Sequence, residues 1–154
     1  MKQIYAFSDT HGYRDGFERF LALTQDGAAY AHLGDYVSDA EAFVPLTKKP
    51  VYSVRGNGDF GSDKPLEQII TLENARILLL HGHTCAVKYG LQRLLYRALE
   101  LEVQAVLYGH THAADIAFEQ GICLVCPGAM GRSRATYASL TVDDGMVTPK
   151  LFCL

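Results

Sequence analysis

Five short segments of this 154-residue chain carry side chains of types that can coordinate divalent cations: Asp9-x-His11, Gly34-Asp35, Gly56-Asn57, His81-x-His83 and Gly109-His110-x-His112. Carboxylate, carboxamide and imidazole donors suit borderline divalent ions, and no soft thiolate stands among them. The last segment is the most telling. It follows an apolar run, Ala105-Val106-Leu107-Tyr108, that reads as a buried strand. Two imidazoles one residue apart then sit where the strand ends. If strand geometry continues, both rings point to one side and face one point in space. Gly109 leaves room for a turn or for a ligand to approach. Taken singly, each segment has an ordinary reading: histidines at strand ends can be core or surface residues, Asp9 and Asp35 can cap helices, and Asn57 can sit in a turn. The succession of five carries the argument.

Such a set needs rigid elements that end where the donors sit. Residues 4–8 form a short apolar strand, with Asp9 following at once. Phe17, Phe20, Leu21 and Thr24 recur at helical spacing and predict a helix over 15–24. Residues 28–33 give a second strand ending in Gly34-Asp35. Ser38-Asp39-Ala40-Glu41 has the form of a capping box and predicts a helix from 38 to about 46. Residues 51–54 give a third strand leading to Asn57. Strand, helix, strand, helix, strand is a parallel right-handed β-α-β start, whose sites collect at the carboxyl ends of the strands. Asp9, His11, Asp35 and Asn57 all fall there.

Residues 68–72 and 76–80 read as an antiparallel pair turned at Glu73-Asn74, ending in His81-Gly82-His83. The clearest helix spans 91–101, with Leu91, Leu94, Leu95 and Ala98 on its apolar face and Gln92, Arg93, Arg97 and Glu100 toward water. The last third reads as all-β: strands 116–118 and 122–125 flank Glu119-Gln120-Gly121, and strands 136–142 and 147–152 flank Asp143-Asp144-Gly145. The expected architecture is α/β, with two mixed sheets face to face and helices on their outer sides. No linker, repeat or low-complexity segment divides the chain, so residues 1–154 are expected to form one domain.

Composition narrows the function classes. The chain is 49% apolar and 20% charged, as ordinary globular proteins are. A net charge of -3 gives no reason to expect a polyanion or an acidic membrane surface as partner. No apolar run approaches the ~20 residues that span a bilayer. The amino terminus leads directly into a strand with no signal-peptide pattern, so the cytoplasm is the expected location. Cys123-x-x-Cys126 invites a zinc or redox reading. On a strand, however, positions i and i+3 face opposite sides, so buried free thiols are expected.

The ordered constellation resembles the calcineurin-like binuclear metallophosphoesterases, and among them the small bacterial and archaeal phosphodiesterases. The motifs run from Asp9 to His112, and Cys126-Pro127-Gly128-Ala129 resembles the branch's Asn-Pro-Gly-Ser element. The resemblance implies the four-layer α-β-β-α fold of that family. It implies that Asp9, His11 and His112 hold one metal, that Asn57, His81 and His110 hold the other, and that Asp35 bridges them. Two divalent ions per chain follow, manganese first, with nickel, zinc or iron as alternatives. The implied activity is metal-dependent phosphoester hydrolysis, most of all of phosphodiesters, by a hydroxide bridging the two ions, with Asp35, Asn57 and His110 as site residues of the catalysis. The expected partner is a small phosphate ester. Apolar residues on the late strands leave the pairing of subunits open.

One departure matters. Many family members carry His after the metal-binding Asn, and the small branch often has Cys. Here the position is Gly58. Asp59 is an auxiliary candidate, but a carboxyl near two cations stays ionised and is a poor acid. His83 is the other auxiliary candidate, as a substrate contact or a neighbour of the ligands. Arg132 and Arg134 are candidates to hold a substrate phosphate, since guanidinium matches its geometry; Arg55 and Lys88 carry less information. His32 reads as a satisfied strand histidine. Without an acid at position 58, activated diesters are the expected substrates. The rival reading is a non-catalytic or weakly catalytic scaffold on the same fold, as in the retromer subunit that resembles this family.

Overall fold

The computed structural model describes residues 1–154. Two five-stranded mixed sheets stack face to face. In the first, β1 (Lys2–Phe7) runs parallel to β2 (Ala29–His32), which runs parallel to β3 (Val51–Ser53). β9 (Thr136–Asp143) and β10 (Met146–Cys153) add antiparallel strands on the far side of β1. In the second, β4 (Glu67–Leu72) pairs antiparallel with β5 (Ala75–Leu80). Beyond β5 come β6 (Ala105–Tyr108), β8 (Ile122–Cys126) and, at the edge, β7 (Asp115–Glu119). β5, β6 and β8 are mutually parallel, while β7 is antiparallel to β8.

Strand alternation builds the layers. Ile4 and Ala6 of β1 enter the core between the sheets, while Tyr5 and Phe7 point outward onto helices. Ile77 and Leu79 of β5, and Ala105 and Leu107 of β6, join the same inner core; Leu78, Leu80, Val106 and Tyr108 face the other way. The unbroken apolar runs of β5 and β6 follow from burial on both faces. α1 (Phe17–Leu23) and α2 (Val37–Phe43) cover the first sheet through a mostly aromatic cluster that includes Phe17, Phe20, Tyr30 and Phe43. α3 (Gln92–Glu100) covers the second through Leu94, Leu95 and Ala98. The α-β-β-α order agrees with the sequence-based expectation. Cys123 lies in the inner core and Cys126 in the outer one, both as free thiols, because three strand positions separate them.

The start of α2 departs from expectation. It begins at Val37 rather than Ser38, and no side chain of its own caps it. Its first donor is satisfied from another loop, since Val37 N donates to Asp59 Oδ1 at 2.8 Å. The Ser-x-x-Glu pattern is therefore not what starts this helix; Tyr36, with φ 67°, turns the chain into it. No helix is long and apolar enough to cross a membrane.

Candidate metal centre

The carboxyl ends of β1, β2, β5 and β6, and the loop after β3, lie at one end of the sandwich. The chain leaves β1 at Ser8, β2 at Leu33, β5 at His81 and β6 at Gly109, and at each exit the backbone breaks from strand geometry. Asp9, His11, Asp35, His110 and His112 all hold positive φ, between 47° and 75°. Each such residue costs about 1–3 kcal/mol unless its surroundings enforce it, and such strain concentrates at functional sites.

The surroundings do enforce it. Asp9 is fully buried. Its Oδ2 accepts from Ser8 Oγ at 2.6 Å and from His110 N at 3.1 Å, and its backbone N donates to Gly34 O at 3.0 Å. Asp35 Oδ1 accepts from Gly58 N at 2.9 Å. Gly56 allows this approach: a Cβ there would lie 2.1 Å from Asp35 Oδ1. The loop carrying Asn57 thus grips the Asp35 carboxylate on both sides of Asn57. His81 is buried, with Nδ1 2.7 Å from Leu33 O. A carbonyl only accepts, so Nδ1 carries the proton and Nε2 presents a lone pair to the centre.

Two overlapping groups of donors result. Asp9, His11 and His112 form one, with ligand atoms within 4.8 Å of one another; Asp9, Asp35 and His81 form the other. His112 Nε2 lies 3.1 Å from Asp9 Oδ1, and His11 Nε2 lies 4.0 Å from Asp9 Oδ1 and 3.9 Å from Asp35 Oδ2. On the other side, His81 Nε2 lies 3.5 Å from Asp35 Oδ1 and 3.2 Å from His110 Nδ1. The His110 and His112 rings do not face a single point as the strand pattern suggests. Left-handed backbone at both residues parts them, so His110 neighbours the His81 ring at 4.9 Å and His112 neighbours the His11 ring at 5.3 Å. Burial and the adjacent His81 hold the His110 pKa below its ordinary value. Converging oxygen and imidazole donors with a fixed tautomer fit borderline divalent cations.

The auxiliary candidates separate. Asp59 Oδ2 accepts from Asp35 N at 2.9 Å and Gly56 N at 2.8 Å, while Oδ1 accepts from Val37 N. Both its oxygens are engaged in holding backbone. The His83 ring lies 5.5 Å from that of His81, in a 3₁₀ turn over His83–Cys85, and burial lowers its pKa. Its Nδ1 is buried without a partner. Arg132 and Arg134 are not brought among the ligands. They are exposed on a hairpin beside β9 and line an open cavity of about 500 Å³ with Tyr13 and Arg19. A second open cleft of about 720 Å³ lies beside Asp35's hydrogen-bond partner Gly58 and is lined also by Tyr36, Glu41, Phe60 and Asp63.

Two residues support the site from beneath: Asp39, which escaped the sequence reading, and His32, a satisfied strand histidine as the sequence reading expects. Asp39, fully buried, accepts from Gly12 N at 2.8 Å and Arg14 Nε at 2.6 Å. Burial pushes its pKa up, but hydrogen bonds from Thr10, Arg14 and Gly12 outweigh this, and the carboxyl stays below its usual range. His32 Nδ1 accepts from Gly34 N at 3.3 Å, so Nε2–H donates to Thr10 Oγ1 at 3.1 Å. Thr10 thereby links His32 to Asp39 beneath the Asp9–His11 loop. The hint for Asp39 is an acidic residue on the buried face of a short helix; a capping-box reading conceals it.

Comparison with known proteins agrees with this geometry. Residues 1–145 match the calcineurin-like phosphoesterase superfamily domain. The probable metallophosphoesterase YsnB of Bacillus subtilis is 29% identical, covering 97% of this chain and 89% of its own. A probable metallophosphoesterase of Mycoplasma pneumoniae is 25% identical, covering 99% and 97%. Among solved structures, a Streptococcus pneumoniae protein described as a predicted phosphoesterase superposes with TM-score 0.79 at 26% identity, covering 99% and 98%. Vps29 of Entamoeba histolytica, solved with zinc, shares the fold at TM-score 0.80 and 17% identity, covering 98% of each chain. Ligand donors at the strand ends, the sandwich that carries them and these relatives agree: the chain belongs to the calcineurin-like phosphoesterase superfamily.

Proposed function

We propose that this protein is a phosphodiesterase working with two divalent cations, manganese first among them. The observation that carries the reading is the convergence of Asp9 and Asp35 between two pairs of imidazoles, His11 with His112 and His81 with His110. Asp9, His11 and His112 would hold one cation; Asn57, His81 and His110 would hold the second; Asp35 would reach both. Cations bound there acidify water near neutral pH and neutralise charge on phosphoryl oxygens. The chain's own part is positional. Gly58 N and the packing of Gly56 fix the Asp35 carboxylate. Leu33 O fixes the His81 tautomer.

Diesters with activated leaving groups are the favoured substrates, because neither residue that follows Asn57 offers a proton readily. Gly58 has no side chain, and the Asp59 carboxylate is held by three backbone N–H groups. The test compares bis(p-nitrophenyl) phosphate with p-nitrophenyl phosphate on metal-free protein supplemented with manganese, nickel, zinc or iron. Metal-dependent hydrolysis favouring the diester is expected. Two cations bound with no turnover would favour the second reading, a protein-binding scaffold, which the missing acid at Gly58 supports. No cation binding would overturn both the metal assignment and the activity.

A further inference from the structure

The cleft of about 720 Å³ beside Asp35 has a composition unlike that of the ligand cradle. Its floor includes Gly58, whose N donates to Asp35 Oδ1 at 2.9 Å. The cleft and the Asp35 carboxylate are thus one residue apart, through Gly58. One wall is Tyr36, 45% exposed, with its ring 5.2 Å from that of His11. The other is Phe60, 94% exposed, on the loop between β3 and β4. Two exposed aromatic side chains thus line the cleft together with Gly58 and Gly61, which add no side chains to it. The rim carries Glu41 and Asp63, neither in an ion pair, and no Lys or Arg. Asp59 also lines the cleft, but its carboxylate is held by backbone N–H groups.

We infer that this cleft receives one ester arm of the substrate and selects an arm that is planar and not anionic. The inference rests on the phosphodiesterase reading above. Tyr36 and Phe60 offer a planar group flat apolar surface and quadrupolar faces. Glu41 and Asp63 repel an arm carrying carboxylate or phosphate, so nucleoside-like or aryl diesters are accepted and polyanions are turned away. The missing side chain at position 58 keeps the passage between the cleft and Asp35 free; a Cβ there would lie 3.1 Å from Asp35 Oδ1.

The test uses two diesters that share a methyl arm: methyl p-nitrophenyl phosphate and its 3-carboxy derivative. The wild-type protein with added cation should prefer the uncharged aryl arm about fivefold or more in kcat/KM, and less so at high salt. The combined Glu41→Gln and Asp63→Asn variant should bring the preference toward unity. Phe60→Ala should raise KM for both diesters about threefold or more, with kcat nearly unchanged. In parallel, metal-free protein is titrated with phenol, which is neutral at neutral pH as tyrosine is, and with 4-hydroxybenzoate, followed by amide shifts. Phenol should shift Gly58, Phe60 and Gly61, and 4-hydroxybenzoate should shift them less. An undiminished preference in the double variant, or phenol shifts confined elsewhere, would overturn the inference. Absence of turnover with every cation would instead count against the phosphodiesterase reading, and the phenol titration would still decide the cleft.

Discussion

The ligand cradle and the cleft beside it share a boundary at Asp35 and Gly58, yet they are held in opposite ways. In the cradle, Asp9 and His81 are fully buried and every carboxylate oxygen of Asp9, Asp35 and Asp59 has a neighbour within the site. Five donors are forced into left-handed backbone by the loops around them. In the cleft, Phe60 and Asp63 stand on an exposed loop, and their side chains have no hydrogen-bonded partner or ion pair within the chain. The difference teaches where precision is needed. Donors to a cation must be placed to a fraction of an ångström before it binds. An aromatic wall tolerates displacement, because apolar contact is non-directional.

The comparison breaks most sharply at Asp35. Asp35→Ala should lower metal-dependent diester hydrolysis by about a thousandfold or more, and calorimetry should find fewer cations bound per chain. A variant that keeps both activity and stoichiometry would remove Asp35 from the cradle. Next comes Asp59. Asp59→Ala strands the N–H groups of Asp35, Val37 and Gly56 and should cost about 3 kcal/mol in urea unfolding, whereas Asp59→Asn, which keeps one acceptor oxygen, should cost less. Equal small losses from both would show that the backbone finds other partners.

Acid should sharpen the picture through His32. Burial lowers its pKa from 6.5 to about 4, so between these values the unfolded chain binds a proton that the native one does not. Stability should therefore fall as pH drops through that window, by at most about 3 kcal/mol, and then level for this group. Asp39, with its lowered pKa, adds a loss of the same sign as pH falls through its native value. Unfolding measured across this range in the wild type and in His32→Gln should show a flatter dependence in the variant; parallel curves would mean that His32 is not what titrates. The smallest effect belongs to the arginine hairpin. Arg132→Ala with Arg134→Ala should raise KM for diesters about two- to fivefold and leave kcat unchanged, since exposed guanidinium groups attract a phosphate only through solvent. No change in KM would leave that cavity without a part in substrate binding.

Much of the fold was legible because periodicity encodes burial. The apolar run Ile77-Leu78-Leu79-Leu80 reads as a strand, and it is one, buried on both faces. The antiparallel turn at Glu73-Asn74 was legible for the same local reason, with both residues at positive φ. The start of α2 was not, because its cap, Asp59, lies 22 residues from Val37 and no local pattern carries that distance. Nor was the parting of His110 from His112, which depends on backbone turned left-handed by contacts with Asp9 and His81.

By itself, then, the sequence determined the types and order of the donors and the elements that end in them, since hydrophobic period and residue chemistry are properties of neighbours along the chain. Tertiary structure alone decided which donors share a group, that Asp59 is a clamp on backbone, that Asp39 and His32 support the Asp9–His11 loop, and that an aromatic cleft opens at Gly58. These are facts about segments far apart in sequence. Only the stacking of two sheets, with their strand ends at one edge, brings such segments within hydrogen-bonding reach.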